Sequence, residues 1–176
     1  MRRRLIFYLT ITFSIAIVDI VTKLIVQKNF ALHESHQILG NFFKFTYILN
    51  YGGVFGSRLG SNVFYLISAI VVVLLVIFFL YREFGKNKYV DLSLFIVLGG
   101  AIGNLFDRIR MGAVVDFLDF NFLKIQVLGY QFDRWPTFNI ADAAVTVGMI
   151  LLVATVLFGL GTPKEMDADA DYVNEE

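Results

Sequence analysis

The feature that most limits what this chain can become is a set of four long apolar runs, Leu5 to Val26, Ser61 to Tyr81, Val90 to Phe106 and Ile140 to Leu160. A helix crossing the hydrocarbon of a bilayer needs about 20 predominantly apolar residues, and each run comes close to that length. Lipid offers no partner to an open backbone N–H or C=O, so the runs are expected to be helices. Composition agrees, since 57% of the 176 residues are hydrophobic and 17% are charged. Such a chain is too apolar for disorder and for an ordinary water-soluble domain. The expected fold is an all-α membrane protein, four transmembrane helices with a small extracytoplasmic β element. It forms one domain over residues 1–163, with spans at about 5–26, 61–81, 90–106 and 140–160.

The first run follows Arg2, Arg3 and Arg4, and Ser14-Ile15-Ala16 has the small-x-small form of a signal-peptide cleavage site. The run nevertheless continues to Val26 and carries Asp19 and Lys23, so it is read as an uncleaved first span. Basic residues cluster before span one and, as Arg82, Lys86 and Lys88, between spans two and three, which puts those segments and both termini in the cytoplasm. The tail from Lys164 to Glu176 is acidic and expected to be disordered. In the first outer segment Phe43, Phe45, Tyr47 and Leu49 alternate at the period of a strand. Val114 to Phe132, broken by Gly112 and Gly129, is rich enough in Val, Phe, Ile and Tyr for further strands. Tyr130, Phe132 and Trp135 suit a membrane interface.

Charged groups inside spans are costly, so their depth is informative. Asp19 sits about 21 Å up span one at 1.5 Å per residue, and Lys23 follows one turn later on the same face, as a desolvated ion pair would require. Span three ends in Gly99-Gly100-Ala101-Ile102-Gly103-Asn104-Leu105-Phe106-Asp107-Arg108. Gly99 and Gly103 have the spacing of a close helix contact, while Asn104, Asp107 and Arg108 share a face. Span four opens on Asn139-Ile140-Ala141-Asp142, which alone reads as a helix cap. Asp116 lies in the apolar setting Val114-Val115-Asp116-Phe117, where an unpaired carboxylate tends to hold its proton. Asp107, Asp119 and Asp133 are competing loop carboxylates that solvent alone would satisfy. All of these groups fall at the outer side of the bundle.

The chain has no cysteine and two histidines, which removes thiol chemistry and makes a histidine-rich metal site a poor fit. His33-Glu34-Ser35-His36 is one residue short of zincin spacing and reads as a solvated loop. No metal and no cofactor are expected. Fifteen basic residues balance fifteen acidic ones, which leaves no electrostatic footprint for nucleic acid. Two carboxylates sharing an apolar boundary split their titrations, so that one acts as base while the other keeps a proton. That chemistry suits hydrolysis, and a small proton-coupled transporter is the alternative because buried carboxylates serve both. A transporter should carry its ionisable groups along a path near the midplane, and spans two and four have none there. A scaffold of capped helices explains each carboxylate singly but not their collection at one depth.

Five blocks in order carry a resemblance: Asp19-Ile20-Val21-Thr22-Lys23, Asn50-Tyr51-Gly52, Gly103 to Arg108, Gly112-Ala113-Val114-Val115-Asp116-Phe117, and Phe138 to Asp142. Over almost its whole length the chain resembles a lipoprotein signal peptidase, signal peptidase II. The resemblance implies a bacterial inner-membrane aspartic endopeptidase that cuts diacylglyceryl-modified prolipoproteins on the N-terminal side of the lipidated cysteine. Asp116 and Asp142 match the catalytic pair. Asn50, Gly52, Asn104, Arg108 and Asn139 match positions that line or support the site, with Asp19 and Lys23 as supporting groups in the first helix. Partners implied are the diacylated precursors, membrane lipid and inhibitors of the globomycin type, acting on a monomer. The sequence departs from the family in Gly53-Val54-Phe55, where Ala-Ala-Phe is usual, in an enlarged loop from Asn121 to Trp135, and in the acidic tail.

Overall fold

The computed structural model describes residues 2–52, 60–122, 125–127, 130–132 and 134–161. In chain order the elements are α1 (Arg2–Asn29), β1 (Ser35–Leu39), β2 (Phe43–Asn50), α2 (Asn62–Glu83), α3 (Lys88–Met111), β3 (Val114–Phe120), β4 (Ile125–Val127), β5 (Tyr130–Phe132) and α4 (Ile140–Phe158). Among the described residues, the four helices are each long and apolar enough to cross a membrane. The Gly53-Val54-Phe55 segment, Asp133 and the acidic tail lie outside the described residues.

The third helix is the axle of the bundle. Of its most apolar stretch 56% is buried inside the protein, against 11–22% for the other three, whose remaining surface is left for lipid. Its sequence explains the position, because small residues line the side that meets α1. A Cβ at Gly99 would stand 2.8 Å from the Thr12 carbonyl oxygen, and one at Gly103 would collide with the Asp19 carboxylate. Only a bare backbone lets α1 approach so closely, and the Thr12 hydroxyl then donates to the Phe95 carbonyl at 2.8 Å. Tyr8, Val76, Leu80, Leu94, Phe95, Val97 and Leu98 close the core between α1, α2 and α3.

Helix α3 runs further than the span read from its apolar run. Its last turn holds Arg108 and Arg110, cations that suit the negative end of the dipole. Gly112, left-handed at φ 69°, ends it and donates to the Arg108 carbonyl at 2.9 Å. Asp107 is therefore a helix residue and not a loop carboxylate, and Arg108 shares the helix with it as the spacing predicts. The turn at Gly112 sends the chain directly into β3.

The alternating stretch from Phe43 forms the middle strand of an antiparallel sheet in the order β1-β2-β3, with β4 and β5 as a separate two-stranded pair. Phe43 faces Phe120 and Asn50 faces Val114, with an irregularity between Phe45 and Ile48. Val26, Tyr47, Val115 and Phe117 bury the sheet on the end of α1. Ser35 and His36 belong to β1, which corrects their reading as loop: their backbones pair with Thr46 and Phe45, while His36 itself stays exposed beside Glu34. After β5 the chain returns along the open edge of β3, where Phe138 pairs with Leu118.

Candidate active site

Helix α4 starts with the capping box read from its sequence. Asn139 accepts from the Asp142 N–H at 2.8 Å, and the Asp142 carboxylate accepts from the Asn139 N–H at 3.3 Å. Asp116 reaches the same place from β3 and is 2% exposed. Its Oδ1 accepts from Asn139 Nδ2 at 2.8 Å and its Oδ2 from Asn50 Nδ2 at 3.0 Å. One asparagine thus contacts both carboxylates, through its amide on one side and its backbone on the other. Asp116 and Asp142 line a single cavity of about 620 Å³ together with Asn50, Asn104 and Arg108.

Three asparagines supply the donors, and each is oriented by a group that can only give a proton. The Gly52 N–H holds the Asn50 carbonyl at 2.9 Å, which leaves the Asn50 amide nitrogen for Asp116. The Asp142 N–H holds the carbonyl of Asn139 in the same way. Lys23 Nζ donates to Asn104 Oδ1 at 2.9 Å, and an ammonium has no acceptor to offer in return. The Asn104 amide nitrogen therefore faces Asp142 Oδ1, at 2.8 Å.

Behind Asn104 lies a second, closed cluster. Lys23 and Asp19 are both fully buried and paired at 2.7 Å, as their spacing predicts. Asp107 is the residue sequence reasoning misjudged. It is 1% exposed, sits 3.3 Å from Lys23 and accepts from the Val115 N–H at 3.1 Å. Arg110, one turn on in α3, stands 3.5 Å away, but the two partners that bury Asp107 are brought by α1 and β3 and left no sign in the neighbouring sequence. Asp19 Oδ1 accepts from the Ala141 N–H at 2.8 Å and so ties α1 to the start of α4. Three oxygens, one each from Asp19, Asp107 and Asn104, stand within 3.3 Å of the Lys23 ammonium, and a buried cation needs such company.

Asp119 is likewise no solvated loop group. It is 7% exposed, pairs with Arg134 Nε at 2.7 Å and accepts from the Thr46 hydroxyl at 2.7 Å. The sequence reading also passed over the cavity's other wall, made by Phe122, Trp135, Pro136, Thr137 and Phe138. Trp135 in that wall is 36% exposed.

Burial pushes Asp116 up to about 7, and the charge of Asp142 adds to the rise, while the Asn50 and Asn139 hydrogen bonds and Lys23 oppose it. The carboxyl on β3 therefore keeps its proton over a range in which an ordinary aspartate has lost it. A proton-holding carboxyl and a second carboxylate on one cavity wall form an acid and a base that can act together on a bound water.

The sequence pattern of the family described as "Signal peptidase (SPase) II" matches residues 11–158. This chain belongs to the signal peptidase II family. A lipoprotein signal peptidase of Desulforapulum autotrophicum is 38% identical over 145 residues, covering 80% of this chain and 85% of the relative. Another, from Syntrophus aciditrophicus, is 35% identical and covers 89% of this chain and 96% of its own. A solved bacterial membrane enzyme superposes with a TM-score of 0.76 at 30% identity, covering 90% of this chain and 92% of that one. Family membership makes the chain a multi-pass membrane enzyme of an aspartic peptidase family, one that supports signal-peptide cleavage from prolipoproteins.

Proposed function

We propose that this chain cuts diacylglyceryl-modified prolipoproteins on the N-terminal side of the lipidated cysteine, with Asp116 and Asp142 as its catalytic pair. The observation that carries the reading is the double hold of Asn139 on both carboxylates at the wall of one cavity. Asp142, the more accessible of the two, takes a proton from water as that oxygen bonds to the scissile carbonyl carbon. Asp116 gives its proton to the carbonyl oxygen, and collapse of the tetrahedral intermediate breaks the C–N bond as a proton reaches the leaving amine. Asn50, Asn104 and Asn139 hold the two carboxyls in place, Gly52 orients Asn50 through its backbone, and Arg108 brings a positive charge to the cavity. Asp19 and Lys23 support the site from behind.

The same reading places the chain in the bacterial inner membrane as one domain over residues 1–163, with both termini cytoplasmic and the cavity on the periplasmic side. It acts as a monomer and binds globomycin-type inhibitors. The density of basic residues around Arg2–Arg4 and Arg82–Lys88 supports that orientation. The test uses purified protein with diacylated and unmodified precursors, followed by gel shift. Asp116→Asn and Asp142→Asn should each lower cleavage about a thousandfold or more while still folding and melting cooperatively. Retained cleavage in either variant removes the pair from the mechanism, and equal cleavage of both precursors removes the lipid requirement.

A further inference from the structure

The segment 134–138 supplies four neighbouring residues to the cavity wall, yet it is not a regular strand. At one end Phe138 is held by its backbone exchange with Leu118, at 2.8 and 3.1 Å. At the other the Trp135 N–H donates to the Phe120 carbonyl at 3.0 Å. Pro136, between them, has no N–H to give. Beside Trp135, at that second end, stands Arg134. Its Nε meets Asp119 Oδ1 at 2.7 Å, and its Nη1 reaches the carbonyl oxygen and side chain of Asn41 at 3.3 and 3.4 Å. Asn41 lies in the β1–β2 turn, and the Thr46 hydroxyl fixes the other oxygen of Asp119 at 2.7 Å.

Asp119 alternates with Asp116 along β3 and so points away from it across the sheet. The Arg134 side chain therefore wraps the open edge of the sheet and fastens to its far side. Next to it Trp135 stacks on Phe122, with ring centroids 5.6 Å apart and planes 22° apart. Both rings line the cavity and both keep substantial exposure, 36% and 52%.

We propose that Asp119 and Arg134 are positioning residues that hold Trp135, stacked on Phe122, as the wall of the cavity that receives an aliphatic part of the substrate. The inference rests on the proposed peptidase reading for its substrate, though not for its geometry. The pair is partly desolvated and geometrically specific, because a guanidinium engages a carboxylate and a carbonyl through two separate edges. An aromatic wall opposite a polar dyad offers flat apolar contact to an extended peptide side chain or to an acyl chain.

The chain contains one tryptophan, so the emission of the full-length protein in detergent micelles reports Trp135 alone. Arg134→Gln is expected to lower its fluorescence anisotropy and raise its acrylamide quenching, with Arg134→Lys in between. The same variant should raise KM for a diacylated precursor peptide about three- to tenfold, with a smaller change in kcat. Adding Arg134→Gln to Trp135→Ala should raise KM no further than Trp135→Ala alone. Should Arg134→Gln fail to fold, Asp119→Asn keeps the shape and removes the charge, and the same shifts are expected from it. A rise in KM for diacylated and unmodified precursor alike assigns the wall to peptide side chains, and a rise for the diacylated one alone assigns it to an acyl chain. Unchanged Trp135 emission in a folded variant, unchanged KM for both precursors, or additive effects of the two substitutions would overturn the proposal. The fluorescence arm needs no turnover, so loss of the dyad reading would leave it standing.

Discussion

Asn104 stands between two pairs of aspartates that meet opposite fates. On one side Asp19 and Asp107 share Lys23, at 2.7 and 3.3 Å, and the three charges are sealed from solvent. On the other, Asp116 and Asp142 receive amide donors, and the described residues bring no ammonium or guanidinium into ion-pair contact with either. An amide stabilises a carboxylate without cancelling its charge, so two such groups on one cavity remain coupled. The contrast separates a pair that holds helices together from a pair left open on a cavity wall.

The strongest way to break the contrast is to remove the cation. Lys23→Met leaves Asp19 and Asp107 buried against each other and should cost about 3–5 kcal/mol, measured as loss of folded protein in detergent with rising denaturant. A fully folded Lys23→Met protein would mean that the cluster is not what joins α1, α3 and α4. Next in size is Gly103→Ala, whose new methyl group would press on Asp19 and push α1 outward, for about 1–3 kcal/mol. A thermal melt reads it, and an unchanged midpoint would show that α1 has room to shift.

Proton linkage sharpens the other side. Asp116 has a reference value of 3.8 and rises to about 7 in the folded protein. Between these values the native state binds more protons than the unfolded one, so stability falls as pH rises through that window. Asp116→Asn should remove this slope, and its melting temperature relative to wild type should climb from about pH 4 to pH 7. Parallel curves would mean that Asp116 is ionised throughout. The smallest effect expected is at Asn50, whose hydrogen bond lowers the Asp116 value. Asn50→Leu should move the alkaline limb of kcat/KM upward by about one pH unit or less, and a downward move would refute the role of Asp116 as acid.

What the sequence made legible was local. The interval between Asp19 and Lys23 is one helical turn, the alternation from Phe43 to Leu49 is the pleat of a strand, and Asn139 with Asp142 is a cap whose geometry needs no other element. The match of Asp116 and Asp142 to a family pattern supplied what spacing alone left open between hydrolase, transporter and scaffold. Asp107 and Asp119 stayed hidden because the partners that bury them arrive from afar: Lys23 on another helix, Thr46 on another strand. The aromatic wall was equally invisible, since Trp135 reads as an interface residue and Phe122 as nothing in particular until Phe138 pairs with Leu118 and folds the segment back. Burial of a polar group is settled by topology, and a single chain of letters shows topology only where helices and strands announce themselves.

The orientation of Asn104 has one more consequence. Its carbonyl is turned toward an ammonium and its nitrogen toward Asp142, so this side chain works as a one-way coupling between the sealed and the open halves of the polar interior. Aspartate, its nearest isostere, would satisfy the lysine and yet present Asp142 with another lone pair where a proton had been. The position thus demands an amide rather than mere polarity, and a residue that never meets the substrate dictates that demand.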